Sequence, residues 1–477
     1  MASNTSLQQA WPARVLDRPM PLGFLATVFV ANLLALTNFS VMVVAMVPID
    51  AALGAPEHMT LQLPCAIFAA MVCAAPVTPY LLRRWGTRRL LLTSIIGLAV
   101  TTALAALSTN IWQLMLAMFL GGLASAPVVS STQAAVDTHM PGPDRGIGMA
   151  VWGAGIYASG LIGPIVASYF LDAFGWRALF LAPLPLTLLT AALIMRNLKP
   201  EPVKLVPGDV ATLVLAPLTI LFLVNTCSLG RSLGWSQSYV PYATLAGLLI
   251  VAPLYAMIYR QTPAPALDLD CLRDRNVSLT LLLVFFVNLL GTGLFQVEFL
   301  GRYSHLSIHM LGLRTTIGTL GLLAGMALAA WLCHARRADF ALLAGLVLSV
   351  VSKLGFLFYD SHTGAIAAIW PVVVGGVGFG LIMASLATIA YRSVKSERAP
   401  DVATLFVLAT FLGACLGTGV LDEVLLGVTT FDLDEGMSLA AAKQAAFKAE
   451  FWVELLATLP LLLVARLLAR DGQERTA

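Results

Sequence analysis

The sequence predicts an all-α, polytopic membrane protein with fourteen transmembrane helices grouped as six, two and six. Three observations predict this class. Hydrophobic residues make up 59% of the 477 positions and charged residues only 11%, whereas soluble domains carry about 25% charged residues. The apolar residues form continuous runs of about twenty, which is the length of a helix that crosses a ~30 Å hydrocarbon layer. Lysine and arginine are concentrated on one side of the resulting topology.

The predicted spans follow one another with mostly short connections. The first six are Leu22–Pro48, Leu61–Leu82, Leu90–Leu107, Trp112–Val129, Ile147–Leu171 and Ala178–Met195. Two more, Val210–Leu229 and Tyr242–Tyr259, are flanked by polar connections that contain proline. The last six are Val277–Leu300, Thr316–Cys333, Phe340–Phe358, Ile366–Ala390, Ala403–Val428 and Phe451–Leu468. We therefore divide the chain into a first bundle (1–196), two additional helices (197–260) and a second bundle (261–477).

The longest external connection is predicted at Thr429–Glu450, with an alanine-rich surface helix at Met437–Phe447. Of the 28 lysines and arginines, 21 lie on the side of the N-terminus, 6 lie on the other side, and Lys353 lies within a span. Because cytoplasmic loops carry the excess of cations, both termini are predicted to be cytoplasmic.

Several classes of function are excluded by what the sequence lacks. A net charge of +3 gives no strong basic field, so nucleic acid is not an expected partner. The sequence contains no P-loop, no nucleophile elbow and no His/Cys metal set, which argues against an ATP-driven pump and a membrane hydrolase. No metal or organic cofactor is expected, and an ion gradient is left as the energy source.

The strongest motif lies in the predicted fifth span. Gly160, Gly163 and Pro164 fall in the middle of this span. Small residues allow a neighbouring helix to approach closely, and proline removes one helical hydrogen bond. This pattern predicts a tight helix contact that can bend. Ordinary use of glycine and proline in a membrane helix is the alternative.

In its wider context the motif resembles a known family. Gly163 and Pro164 are followed at the family's spacing by Trp176, Phe180 and Pro185. The chain thereby resembles the fourteen-helix drug:proton antiporters of the major facilitator superfamily, the EmrB/QacA-like branch. Glycines usual in that motif are replaced by Ser159, Ala167 and Ser168.

The resemblance implies a major facilitator fold in the inner, or plasma, membrane. It also implies export of hydrophobic or amphipathic small molecules in exchange for protons. Some members of this branch work with a periplasmic adaptor and an outer-membrane channel, and the resemblance allows such partners here.

The chain departs from the family at three charged positions. In the loop between spans two and three, Arg84, Gly86 and Arg88 match the family, but Arg83 replaces an aspartate that is implied to latch the two bundles. The four residues could instead be only a topology-determining cluster. Met118 replaces the arginine of the fourth span, and Asn38 lies where the first span usually has an aspartate.

Few ionisable residues remain as candidates for coupling. Lys353 lies deep in the eleventh span, where a charge requires a cavity or a partner. It could contact a substrate anion or act as a coupled charge, and a snorkelling or structurally paired lysine is the alternative. The acidic candidates, placed toward the outer ends of their spans, are Asp422, Glu423 and Glu298. Each acid could equally be a solvated interfacial residue, and Glu454 is interpreted as a solvated residue at the end of a helix.

Three asparagines are candidates for lining a polar cavity: Asn32, Asn38 and Asn288. Hydrogen bonds between helices are the alternative for each. For the whole chain, two other functions stay open. One is a transport-inactive relative that acts as a sensor or assembly partner, and the other is uptake by symport or facilitated diffusion.

Overall fold

The computed structural model describes residues 22–474 except 55–56, 141–144, 201–209, 233–238, 263–268, 292–293, 305, 335–336, 361 and 391–398. The described residues form helices and connections without strands. The helices of the first part are α1 (Leu22–Leu53), α2 (Glu57–Ala74), α3 (Thr78–Trp85), α4 (Thr87–Ala106), α5 (Ile111–His139), α6 (Arg145–Phe174), α7 (Trp176–Leu181) and α8 (Leu184–Asn197).

The middle pair is α9 (Val210–Ser232) and α10 (Val240–Gln261), followed by one short 3-10 helix at Leu269–Arg273. The helices of the last part are α11 (Arg275–Leu289), α12 (Leu294–Arg302), α13 (Ile308–His334), α14 (Ala338–Phe356), α15 (Ala365–Ala390), α16 (Ala399–Asp434) and α17 (Leu439–Glu474).

Each predicted span coincides with one helix or with a broken pair of helices. By length and apolarity, eleven helices of the described residues could cross a membrane, or twelve if the bent pair α2 and α3 is one span. Two shorter apolar helices, Ala211–Thr226 and Arg275–Leu289, lie in the predicted seventh and ninth spans. The class is therefore an all-helical, multi-pass membrane protein, while the count of fourteen spans and the cytoplasmic termini stay predictions.

Three predicted continuous spans are divided. A short turn at Pro183 separates α7 from α8 in the sixth span, and the second and ninth spans are broken more strongly. The second bends by 56° between α2 and α3, where Pro76 and Pro79 remove backbone donors. The ninth, predicted as Val277–Leu300, is interrupted between α11 and α12 at Gly291. A side chain at Gly291 would approach the Val287 carbonyl to 2.7 Å, so this position requires glycine.

The predicted external connection Thr429–Glu450 is wrong. Helix α16 continues to Asp434 and α17 begins at Leu439, so only a short turn separates them. The alanine-rich stretch is the first part of the long helix α17, and its Ala442, Ala446 and Phe447 are buried. Alanine is both a strong helix former and small enough to pack closely, which hydropathy counting does not register.

The packing brings the first and last parts of the chain into contact along three lines. Helix α6 lies against both α1 and α13, α2 lies against both α5 and α16, and α1 touches α12. Within the last part, α15 packs on α13 and α14, and α17 packs on α14 and α16. Helices α9 and α10 pack on each other, and α9 also touches α2 and α16.

Candidate transport cavity

A cavity of about 620 Å³ lies between the first and last parts of the chain. Its walls come from α1, α2, α5 and α6 on one side and from α11 to α17 on the other. Most lining residues are apolar, including Phe39, Phe68 and Phe411. Three charged residues of the described chain line it: Arg314, Lys353 and Glu454. The cavity is thus an apolar chamber that carries a few charges, all on the wall from the last part of the chain.

Lys353 and Glu454 form a buried ion pair in this wall. The Lys353 ammonium lies 3.0 Å from Glu454 Oε2, and the two side chains are 7% and 1% exposed. Lys353 comes from α14 and Glu454 from α17, two helices in direct contact. A lone buried charge is costly, and close pairing offsets that cost. The interpretation of Glu454 as a solvated end residue is therefore wrong.

The break after α11 supplies the second partner of Lys353. The ammonium also donates to the Leu290 carbonyl, 2.5 Å away. Leu290 is the C-cap residue that follows α11, and the last carbonyls of a helix lack helical donors. A cation is also favoured at this negative end of the helix dipole. Lys353 thereby joins three elements: the end of α11, its own helix α14, and α17.

Two further polar side chains surround the pair. Gln296 Nε2 lies 3.2 Å from each carboxylate oxygen of Glu454. Glu450 lies one turn before Glu454 on α17 and is fully buried, and neither of its carboxylate oxygens has a hydrogen-bond partner among the described residues. Lys353, Glu454, Glu450 and Gln296 are called the charge cluster below. It holds two carboxylates and one ammonium in an apolar setting.

The acidic candidates predicted from sequence lie elsewhere. Glu298 is buried and paired with Arg302 one turn later on α12, at 2.9 Å. Glu423 is half-buried on α16. The backbone of Asp422 also lies in α16, but its side chain is outside the described residues. None of these three is among the described lining residues of the cavity.

The three asparagines divide between two environments. Asn288 lines the cavity and bonds within α11 to the Val284 carbonyl. Asn32 accepts a hydrogen bond from Thr132 on α5, and Asn38 donates one to Thr102 on α4. Both of the latter bonds join helices of the first part.

The glycine motif lies where α6 meets two other helices. A side chain at Gly163 would come within 2.7 Å of Ser40 on α1. On the α13 side, Thr319 donates to the Gly160 carbonyl at 3.0 Å, and a side chain at Gly312 would approach the Pro164 carbonyl to 2.8 Å. Helix α6 therefore packs tightly both within the first part and against the last part.

The arginine-rich loop lies at the turn between α3 and α4. Arg83 and Arg84 are exposed, and Arg84 donates to the Tyr80 hydroxyl. Gly86 has a φ of +77°, a value that favours glycine, and Arg88 is half-buried at the start of α4. None of the ion pairs among the described residues joins these arginines to the last part of the chain.

Three site residues were missed or misplaced from sequence. Glu450 and Glu454 were assigned to a solvated segment, although their spacing of four on an alanine-rich helix was an available signal. Arg314 is one of the six cations that the sequence analysis counted on the outer side, but α13 begins at Ile308 and Arg314 is only 3% exposed.

Two packed sets of membrane helices around a central cavity define a small-molecule membrane transporter of the two-bundle class. The sequence profile of the Major Facilitator Superfamily matches residues 28–418, and the chain belongs to this superfamily. The chain is accordingly a multi-pass transporter of the inner membrane and not an enzyme.

The relatives include several efflux proteins. The chain is 24% identical over 457 residues to the "Multidrug resistance protein B homolog" of Mycobacterium tuberculosis, covering 93% of this chain and 82% of that protein. It is 27% identical to the "Multidrug efflux pump LfrA" of Mycolicibacterium smegmatis, with 76% and 72% covered. The predicted relation to drug-efflux members of the superfamily is confirmed.

Solved structures support the same fold. The crystal structure of a POT family transporter in complex with a thioalcohol-conjugated peptide superposes with a TM-score of 0.70 at 14% identity, covering 93% of this chain and 96% of that one. At this identity the likeness concerns the fold alone.

Proposed function

We propose that this protein exports hydrophobic or amphipathic small molecules across the inner membrane in exchange for protons. The observation that carries the proposal is the buried Lys353–Glu454 pair in the wall of the central cavity. The family's usual charged positions in the first and fourth spans are Asn38 and Met118 here. The charge cluster provides titratable groups at a different place. Relatives named for multidrug resistance support the direction and the class of cargo.

Protonation of the cluster would change contacts between helices. When Glu454 is ionised, it holds Lys353 against the end of α11. A proton on Glu454 removes the attraction and releases the ammonium, so the contact of α14 with α17 and with Leu290 weakens. Glu450 lies one turn away and can carry the same proton. Helices packed against α17 carry further charged residues, among them the Glu298–Arg302 pair on α12 and Glu423 on α16, and α17 itself carries Lys443 and Lys448.

The topology belongs to the same proposal. Fourteen spans in a six, two and six arrangement, with both termini in the cytoplasm, agree with the excess of cations on one side. No cofactor is required, since the proton gradient supplies the energy. A periplasmic adaptor and an outer-membrane channel would extend export beyond the inner membrane, and co-purification is the test for them.

The test is transport by the purified full-length protein in liposomes. We expect a lipophilic fluorescent substrate to move against its gradient when a pH gradient is imposed, and to stop when an ionophore collapses it. Glu454→Gln and Glu450→Gln should lose this gradient-driven transport but retain exchange of labelled for unlabelled substrate. Exchange does not require net proton movement, so it separates coupling from folding. Glu435→Gln, in the exposed turn after α16, is the matched control.

Four outcomes decide against the proposal: three concern proton-driven export and one concerns the charge cluster. Transport by the wild-type protein that does not depend on the pH gradient would contradict proton antiport. Proton-coupled movement of substrate in the same direction as the proton indicates uptake. No flux and no exchange for any substrate favours the transport-inactive sensor. Unchanged gradient-driven transport by both glutamine variants would show that the charge cluster does not couple proton movement to transport.

A further inference from the structure

Arg314 is a buried cation that the coupling mechanism does not use. It lies on α13, is 3% exposed and lines the central cavity. Its Nε donates to the Ala368 carbonyl at 3.1 Å. The Tyr359 hydroxyl donates to the same carbonyl at 2.8 Å. The first bond holds the Nε side of the guanidinium against the first turns of α15, and the second places the Tyr359 hydroxyl at the same carbonyl.

The described partners of this guanidinium are neutral. Both the Ala368 carbonyl and the nearby Tyr359 hydroxyl are uncharged. Among the ion pairs of the described residues, none includes Arg314. Arginine stays charged in any protein setting. A buried charge in a membrane protein is normally paired or faces a cavity that supplies its partner.

Lys353 in the same cavity differs on this point. Its ammonium contacts the Glu454 carboxylate and the Leu290 carbonyl. The charges of Lys353 and Glu454 therefore cancel, and the described lining carries one net positive charge, which belongs to Arg314. The rest of the lining is mostly apolar, with Phe39, Phe68, Phe379 and Phe411 among its side chains.

We propose that Arg314 is an anion-recognition site and that the preferred substrates are amphipathic organic anions, carboxylates above all. The carboxylate would lie against the guanidinium where it faces the cavity, and paired N–H groups of arginine match the two oxygens of a carboxylate. The apolar body would lie along the aromatic lining. This inference rests on the proposed transport function and narrows its substrate class.

Equilibrium binding to the full-length protein in phosphatidylcholine nanodiscs tests it without any gradient. Three probes share a naphthalene body and differ in headgroup: naphthylacetate, naphthylethanol and naphthylethylammonium. Empty nanodiscs correct for partition into lipid. We expect wild type to bind the acetate more tightly than the ammonium by at least about tenfold, which is what one charge-assisted pair is worth.

The variants separate recognition from folding. Arg314→Gln should weaken binding of the acetate at least about tenfold and leave the neutral alcohol close to its wild-type affinity. Arg314→Lys should restore part of the loss, because it keeps the charge without the planar fork. Arg177→Gln is the control, since Arg177 also donates to a backbone carbonyl but is exposed and outside the described lining.

A wild-type protein that binds the ammonium as tightly as the acetate overturns the inference, even if Arg314→Gln fails to fold. Unchanged acetate binding in Arg314→Gln also overturns it. Neither result bears on proton-driven export, which the liposome experiment measures separately. If the wild-type protein shows no gradient-driven transport but still prefers the anionic probe, the antiport proposal is wrong and the anion-recognition site at Arg314 stands.

Discussion

At the scale of single residues, the buried charged side chains of the described residues all come from the last part of the chain, and three of them line one wall of the cavity. Lys353 and Glu454 are each almost fully buried, and Lys353 also contacts the Leu290 carbonyl at the C-terminal end of α11. A buried pair adds little net stability compared with an apolar pair of similar shape, but an isolated member is strongly destabilising. The pair is therefore better explained by a functional role than by stability.

The buried ion pair predicts that a single substitution destabilises the protein and that a double substitution restores most of the stability. Lys353→Met alone should lower the free energy of unfolding by about 3–5 kcal/mol, because the buried Glu454 carboxylate loses its cation. Lys353→Met combined with Glu454→Leu should recover most of that loss. Chemical unfolding in micelles measures both. A double variant as unstable as the single variant would contradict the pairing, and Glu435→Gln should behave as wild type.

At the scale of elements, the breaks in helices have local causes. The break after α11 occurs at a glycine that cannot accept a side chain, and it frees the carbonyl that Lys353 binds. The bend between α2 and α3 occurs between two prolines. Each break is indicated in the sequence by a glycine or a proline. The side chain that bonds to the freed carbonyl, such as Lys353 at the end of α11, is not indicated there.

The tight contact of α6 with α1 at Gly163 can be tested by substitution. Gly163→Leu should overpack the contact with Ser40 on α1, at a typical cost of about 1–3 kcal/mol, and abolish transport while the protein still inserts into the membrane. Transport assays and membrane fractionation measure the two effects. Gly97→Ala is the control, since its added methyl meets Ala124 at an ordinary 3.5 Å. Normal transport by Gly163→Leu would remove the argument for a tight contact.

At the scale of the whole molecule, the two parts of the chain meet at α6 with α13 and at α2 with α16. Cys65 on α2 and Cys415 on α16 are buried thiols whose sulfurs lie 3.0 Å apart across the second contact. Alternating access through rigid-body movement requires contacts between the two parts to open.

A cross-link at this contact should therefore stop transport. In a variant that keeps only these two cysteines, copper phenanthroline should oxidise both thiols to a disulfide, with two electrons and two protons passing to the oxidant. We expect transport to cease on oxidation and to return with dithiothreitol. Cys65→Ala should be insensitive to the oxidant. Full transport by the cross-linked protein would show that α2 and α16 stay together throughout the cycle.

The sequence determined the membrane class and the approximate positions of the apolar helices, because hydrocarbon selects long apolar helices. Its motif residues indicated the superfamily. It also indicated the α6 motif, since Gly and Pro have effects that are local. The charge cluster was decided by tertiary structure alone. The burial of Glu454 becomes evident only in the folded structure, where α14, α17 and the end of α11 come together. Nothing in the sequence of α17 identifies Lys353 as the partner of Glu454. Pairing of charges across helices depends on which helices are neighbours, and apolar spans of similar composition do not specify their neighbours.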